Sequence, residues 1–229
     1  MKRIILSSII MVIAAMVSVS CANRNQKDAA ANETTEMENT QIAEQEYDIV
    51  TTHGTMRVKL YNKTPKHRDN FKKLVAEKYY DGIRFHRVIE GFMIQAGDPY
   101  SRDTSMINMW GQGGPDYTVP AEFVNEYWHK KGALAAARKG DMANPTKASS
   151  DSQFYIVHDE NACLHLDGQY SIFGEVVEGL DVIDKIASVP VDRMDRPYED
   201  VIIKEVRQVM VEPQVPVQTD STAVEKKEE

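Results

Sequence analysis

The stretch that decides the fold reads FHRVIEGFMIQAGD and occupies residues 85–98. Apolar, β-branched and aromatic residues give it two strand-like runs, Arg84 to Ile89 and Phe92 to Ala96. Further runs of this kind follow at Leu134 to Ala137, Phe154 to Val157, Ser171 to Phe173 and Val201 to Val211. Loops, and not regular helices, separate them. Many short strands favour a mainly β fold with an antiparallel sheet or barrel over a doubly wound fold.

The region before this stretch predicts a β-hairpin. Residues 47–51 and 56–61 alternate apolar with polar side chains and flank His53-Gly54. By contrast, the segment Asp98 to Pro120 is irregular and rich in glycine. Loops of that length inside a compact domain are usually functional.

Two helices are predicted. The first has Thr64 as a candidate N-cap and Pro65 at its first position, and its pattern stops at Asp81-Gly82. The second covers Leu180 to Ala187. No internal repeat of fixed period is visible, which argues against a propeller.

The 229 residues divide into four predicted segments: a signal peptide over 1–20, a disordered tether over 21–45, a folded domain over 46–211 and a disordered acidic tail over 212–229. The tether and the tail hold few apolar residues to bury. We therefore expect one domain to carry the function.

The first 20 residues have the layout of a secretory signal. Lys2 and Arg3 precede an apolar run from Ile4 to Val17, and small residues lead up to Cys21. A permanent membrane-anchor helix is the alternative, but a spanning helix needs about 20 predominantly apolar residues and Ser7 and Ser8 interrupt this run.

The residues around Cys21 resemble the bacterial lipoprotein box, in which the cysteine becomes the new N-terminus and is acylated. Here the box reads VSVSC over residues 17–21, with Ser18 where the family usually has leucine. The resemblance implies a lipid anchor at Cys21 in the bacterial cell envelope, facing the periplasm. An ordinary signal cleaved near Ser20 is the alternative. Acylation of Cys21 would leave Cys163, the other of the two cysteines, without a disulfide partner.

The charge balance argues against a nucleic-acid binder. The net charge is −8, whereas phosphate neutralisation needs clustered Lys and Arg. The six histidines show no spacing typical of a zinc module, so no metal and no cofactor are expected. Ser150 and Ser152 lie near histidines, but no nucleophile-elbow pattern surrounds them, which argues against a serine hydrolase.

Taken together, five motifs in a fixed order resemble the cyclophilins. After residues 85–98 come a glycine-rich GQGG at 111–114, AAAR at 135–138, SQFY at 152–155 and LDG at 166–168. The resemblance spans roughly Tyr47 to Val211. It implies an eight-stranded antiparallel barrel closed by two helices and a peptidyl-prolyl cis-trans isomerase that acts on proline-containing polypeptides.

The resemblance also implies roles for single residues. Arg87 would be the catalytic residue, and Phe92 and Met93 would line the proline pocket. The other substrate-binding positions are Gln95, Ala137, Arg138, Gln153, Tyr155, His165, Leu166 and Tyr170. His86 precedes Arg87 on a strand and therefore points to the opposite face, where packing is a more fitting role than acid–base chemistry.

This chain departs from many family members at four pocket positions. Tyr155, Arg138, His165 and Tyr170 stand where phenylalanine, asparagine, tryptophan and histidine are common in the family. An aromatic ring is kept at Tyr155, so the pocket is expected to persist. Tryptophan at the position of His165 is associated with cyclosporin affinity, so that affinity is in doubt.

Two other classes of protein remain alternatives. The same groove could serve a catalytically silent module that binds extended proline-containing segments, although retention of Arg87 favours activity. A small-molecule-binding barrel of the lipocalin kind is disfavoured because side chains should fill the interior. The chain is expected to act as a monomer on exported clients.

Overall fold

The structure, a computed structural model, describes residues 43–210. The predicted signal peptide, Cys21, nearly all of the tether and the acidic tail lie outside these residues. The strands are β1 (Glu46–Thr51), β2 (Gly54–Leu60), β3 (Arg87–Ile89), β4 (Met93–Ala96), β5 (Thr118–Val119), β6 (Ala133–Ala136), β7 (Ser149–Ser150), β8 (Phe154–Val157), β9 (Ile172–Glu178) and β10 (Ile203–Gln208). The helices are α1 (Pro65–Ala76), α2 (Glu160–Cys163) and α3 (Leu180–Ala187).

Eight strands form one antiparallel sheet in the order β10-β1-β2-β9-β6-β8-β4-β3. The two edges of the sheet are linked by backbone hydrogen bonds, among them Phe85 N to Val201 O at 2.9 Å and Ile203 N to Ile83 O at 2.8 Å. The sheet is therefore curled nearly into a barrel, which confirms the predicted fold class. The pair β5 and β7 forms a small second sheet that the sequence did not predict.

The observed strands differ in length from the predicted ones where pairing is local. β3 begins at Arg87, since Arg84 forms only an isolated bridge, with Ile202. β9 continues to Glu178, well past the predicted end at Phe173, because it pairs with β2 on one side and β6 on the other. The predicted irregular segment after Asp98 contains two short 3-10 turns, Pro99–Arg102 and Thr104–Met109.

Helix α1 begins at Pro65 as predicted, but its N-terminus is capped differently. The Thr64 side chain makes no capping hydrogen bond. Instead, the Glu122 carboxylate accepts hydrogen bonds from the backbone N–H groups of Lys66 at 3.1 Å and His67 at 3.0 Å. A distant residue thus satisfies the free donors of the first turn, and an acidic group also favours that end of a helix. The helix ends at Ala76, before the predicted stop.

Both faces of the central strands are buried. All four residues of β6 and of β8 are buried, which explains why the sequences of these strands are continuous apolar runs without alternating polar residues. One face packs against α1 and α3 in the main core, which includes Phe71, Leu134 and Ile156. The opposite face carries a smaller cluster with Met93, Ala135, Tyr155, Cys163 and Leu166. The candidate site lies on this second face.

Candidate active site

Arg87 and Gln95 stand opposite each other in the β3–β4 register. Directly opposed residues of antiparallel strands project from the same face of a sheet. The Arg87 side chain is 43% exposed, whereas the neighbouring His86 residue is 4% exposed and lies in the interior. The register and exposure therefore place a positive guanidinium at the surface. His86 lies just before β3, and its burial confirms that it is packed in the interior.

A small cavity of about 120 Å³ opens beside Arg87. Met93 comes from β4 and Tyr155 from β8, two strands that pair directly, and both side chains are buried in the smaller apolar cluster. The full lining is Arg87, Phe92, Met93, Gln95, Ala137, Arg138, Tyr155, Leu166 and Tyr170. All nine of these residues were among the predicted site residues, and the fold brings them together from five separate stretches of the chain.

The hydroxyl of Tyr155 is held by a buried histidine. Tyr155 Oη lies 2.8 Å from His129 Nε2, and His129 Nδ1 lies 2.6 Å from the Asp167 carboxylate. With Nδ1–H donating to Asp167, Nε2 accepts from the phenol. Burial lowers the pKa of His129 against the opposing effect of Asp167, and burial raises the pKa of Tyr155. This network accounts for a tyrosine in the buried wall of the cavity, since a buried hydroxyl needs a partner.

Gln95 connects the cavity to the glycine-rich loop. Its Nε2 donates to Gln153 Oε1 at 3.2 Å, and Gln153 Nε2 donates to the carbonyl of Gly113 at 2.8 Å. At the end of β4 the backbone of Gly97 lies close to that of Ser152. Only glycine fits there, because its φ is +97° and a Cβ would lie 2.3 Å from the Ser152 carbonyl oxygen. Gln153 was predicted as a site residue, and it lines a second cavity rather than the small one.

This second cavity is larger, about 590 Å³, and is bounded by the glycine-rich loop and β7. Arg138 lines both cavities, as do Gln95 and Ala137. The Arg138 guanidinium carbon lies 4.3 Å from the centroid of the Tyr170 ring, and its Nε donates to the Gln169 carbonyl at 2.9 Å. Stacking and hydrogen bonding together hold this second cation in a fixed position.

His165 lies at the rim of the site. Its residue is exposed, and its ring stacks on Phe92 with centroids 6.2 Å apart and an interplanar angle of 15°. It does not line the small cavity. Of the eleven predicted catalytic and substrate-binding residues, only Gln153 and His165 are outside that cavity, and each contacts a residue that lines it.

A Ser–His–Glu chain was missed by sequence reasoning. His67 Nδ1 lies 2.7 Å from Glu122 Oε2, and His67 Nε2 lies 2.9 Å from Ser149 Oγ. Ser149 is 1% exposed and His67 is 3% exposed, so no substrate could reach the hydroxyl. These hydrogen bonds join the N-terminus of α1 to β7, and their role is structural. No signal in the sequence links these three positions.

His86 is buried without hydrogen-bond partners for its ring. Among the residues described, neither of its ring nitrogens has such a partner. Burial is the main cause that lowers the pKa of His86 to about 4, and Arg87 and Arg196 act in the same direction while Asp98 and the backbone of Arg84 oppose them. The ring is therefore neutral in the folded protein near neutral pH.

We expect His86 to make the protein less stable as the pH falls from about 6.5 to about 4. The folded pKa of about 4 lies below the ordinary histidine value of 6.5. In that window the unfolded chain binds the extra proton, so acid favours unfolding by up to about 3 kcal/mol. Urea denaturation at several pH values measures this. In a His86→Leu variant the fall should be shallower by that amount, and parallel curves for the two proteins would contradict the assignment.

Residues 43–210 contain no group of three or more His, Cys, Asp or Glu side chains placed to hold a metal ion. None of the helices described is long and apolar enough to cross a membrane.

The region that resembles known proteins has the same bounds as the folded domain. Residues 46–208 match the family model described as cyclophilin type peptidyl-prolyl cis-trans isomerase/CLD. The chain is 36% identical over 156 residues to the chicken (Gallus gallus) peptidyl-prolyl cis-trans isomerase-like 3, covering 67% of this chain and 89% of that protein. It is 39% identical over 167 residues to the Rhizopus delemar peptidyl-prolyl cis-trans isomerase-like 2, covering 72% of this chain but only 29% of that longer protein.

A solved structure gives the same likeness. The crystal structure of a Cryptosporidium parvum cyclophilin type peptidyl-prolyl cis-trans isomerase superposes with a TM-score of 0.65 at 29% identity, covering 74% of this chain and 99% of that one.

Proposed function

The chain belongs to the family of cyclophilin-type peptidyl-prolyl cis-trans isomerases, and on that premise we propose that it accelerates rotation about X-Pro bonds, with Arg87 as the catalytic residue. The observation that carries the proposal is the position of Arg87. Its side chain lines a small cavity whose other walls are largely apolar and aromatic, including Phe92, Met93, Tyr155 and Leu166.

The chemistry of the X-Pro bond explains why such a site suffices. Resonance keeps the bond planar and imposes a rotation barrier of about 18 to 20 kcal/mol, so uncatalysed exchange takes tens of seconds. In the twisted transition state the prolyl nitrogen regains its lone pair and becomes a better acceptor. No proton transfer or covalent intermediate is needed. A pocket that grips the ring and a cationic donor that engages the twisted amide supply the catalysis.

The contacts of the site support a division of labour among its residues. Phe92, Met93 and Tyr155 would enclose the proline ring, and the hydrogen bond that the Tyr155 hydroxyl donates to His129 keeps one of these walls in place. Gln95 lies opposite Arg87 in the strand register and is held by Gln153. Gln95 and Gln153 would hydrogen-bond the substrate backbone or Arg87, and Ala137 and Arg138 would border the groove.

A protease-coupled assay on a proline-containing peptide tests the proposal. An isomerase accelerates the slow phase of peptide cleavage in proportion to its concentration. A catalytically silent peptide-binding module would bind the peptide without changing that phase, and a small-molecule-binding barrel of the lipocalin kind would do neither. Either of the last two results would overturn the proposed activity.

We further propose that the clients are exported proteins and that Cys21 anchors the enzyme to a membrane of the bacterial cell envelope. The basis is the sequence of residues 1–21, in which two cations, an apolar run and small residues precede the cysteine. Isomerisation of X-Pro bonds is a slow step in the folding of many proteins. A lipid-anchored isomerase would serve proteins that fold after export.

Cyclosporin should inhibit this protein weakly, and His165→Trp should strengthen the inhibition. His165 is exposed and stacks on Phe92 at the rim of the cavity. An indole there would offer more apolar area than an imidazole and would keep a hydrogen-bond donor. Losing an aromatic anchor at a contact commonly costs about 2 kcal/mol or more, or roughly thirtyfold in affinity. Inhibition constants for the two proteins in the coupled assay give the answer, and equal potency would show that this position does not govern binding.

A further inference from the structure

Asp195 lies in a tight loop between α3 and β10. Val191 and Pro197 form a bridge across the loop, and Asp192 N donates to the Arg196 carbonyl at 2.8 Å. The Asp192 carboxylate accepts hydrogen bonds from Met194 N at 2.7 Å and Arg196 N at 3.0 Å. These backbone hydrogen bonds lower the pKa of Asp192. The loop is therefore fixed by its own hydrogen bonds.

Asp195 occupies a conformation that non-glycine residues rarely adopt. Its φ is +62°, in the left-handed region. Aspartate and asparagine adopt this region more readily than other non-glycine residues, since their short side chains can form local hydrogen bonds. In this conformation the Asp195 carbonyl accepts a hydrogen bond from the backbone N–H of Val88 at 2.8 Å. The loop is thereby attached to β3, the edge strand of the sheet, at the residue that follows Arg87.

The Asp195 carboxylate meets the proposed catalytic residue. Its Oδ2 atom lies 3.6 Å from Nε of Arg87, and the two side chains are 42% and 43% exposed. Within residues 43–210, Asp195 is the only hydrogen-bond or ion-pair partner of the Arg87 side chain. An exposed pair of this kind adds little to stability. We therefore expect this contact to affect the position of the Arg87 guanidinium more than the stability of the fold.

We propose that Asp195 is a positioning residue for Arg87, which it holds through Nε so that the two terminal nitrogens of the guanidinium remain available to the substrate amide. An unpaired arginine side chain samples many rotamers, and a fixed carboxylate on one edge restricts them before substrate binds. This inference rests on the proposed catalytic role of Arg87. It assigns no contact between Asp195 and the substrate.

Two substitutions separate the carboxylate from the backbone conformation. Asp195→Gly and Asp195→Asn both tolerate positive φ, so the loop and the Val88 hydrogen bond should persist while the charge is lost. In the full-length protein, each variant should lower kcat about two- to fivefold, the range that the coupling energy of an exposed pair allows, and leave KM unchanged. The urea midpoint should be unchanged in Asp195→Asn and should not fall in Asp195→Gly, since glycine carries no steric cost at positive φ. Glu199→Gln is the matched control, since it removes one exposed carboxylate near the loop.

A double-mutant cycle with Arg87 distinguishes positioning from a general structural role. In an Arg87→Ala background, Asp195→Gly should have no further effect on kcat. An equal loss of kcat with and without Arg87, or a loss shared by Glu199→Gln, would overturn the inference. If both Asp195 variants have normal kcat while Arg87→Ala is slow, the inference about Asp195 is wrong and the role of Arg87 stands. If Arg87→Ala is fully active, the proposed role of Arg87 itself is wrong.

Discussion

Replacing Arg87 by alanine is expected to slow isomerisation on the order of ten- to several-hundred-fold. Hydrogen bonds to charged groups contribute about 1.5 to 3 kcal/mol, and each 1.36 kcal/mol changes a rate tenfold. The effect falls on the rate because the twisted amide is a better acceptor than either planar isomer, and only such differential binding accelerates a reaction. Peptide affinity should change far less, since the apolar walls at Phe92, Met93 and Tyr155 are untouched.

Two further variants sharpen this prediction in the coupled assay. Arg87→Lys should restore only part of the rate, because a point charge lacks the planar fork that can meet the prolyl nitrogen and a neighbouring carbonyl together. His86→Ala, if it folds, should keep most of the activity, since His86 is buried and no acid–base step is involved. Complete rescue by lysine would show that charge alone suffices, and a slow but folded His86→Ala would point to an acid–base mechanism.

Replacing Cys21 by serine is expected to release nearly all of the protein from the membrane fraction or to leave it unprocessed. A thiol is required for the proposed acylation, so serine removes the anchor and retains the rest of the signal. Fractionation of cells and mass spectrometry of the mature N-terminus measure the outcome.

Cys163 provides the matched control for this experiment. It is the free cysteine of the folded domain, is fully buried, and has its pKa raised to about 12, mainly by burial. Cys163→Ala should therefore leave membrane partition unchanged. Recovery of unacylated wild-type protein in the soluble periplasmic fraction would remove the lipoprotein proposal and leave the proposed isomerase activity standing.

Much of the fold was predictable because its strands and helices carry local signals. The runs at Phe154 to Val157 and Leu180 to Ala187 have the same bounds in sequence and structure. Strand ends that depend on partners were less predictable, as β3 shows by beginning three residues late. The capping of α1 by Glu122 could not be foreseen, since it joins positions 55 residues apart. A local pattern favoured Thr64, which is present but makes no capping bond.

The candidate site was predicted from motif order more than from physics. Arg87, Met93 and Tyr155 come together as the resemblance implied. The residues that support them were not predicted. His129 and Tyr155 are 26 residues apart in the sequence, and Arg87 and Asp195 are more than a hundred apart. No sequence pattern links the two members of either pair. Supporting residues of this kind act through geometry that only the assembled sheet and loops create.

Exchange NMR on a proline-containing peptide tests the central claim most directly, because it measures interconversion of the bound cis and trans forms and peptide affinity in one experiment. With folding of Arg87→Ala verified, the account predicts that interconversion slows at least about tenfold while the Kd for the peptide changes by less than about threefold. Interconversion at the wild-type rate on folded Arg87→Ala would contradict it.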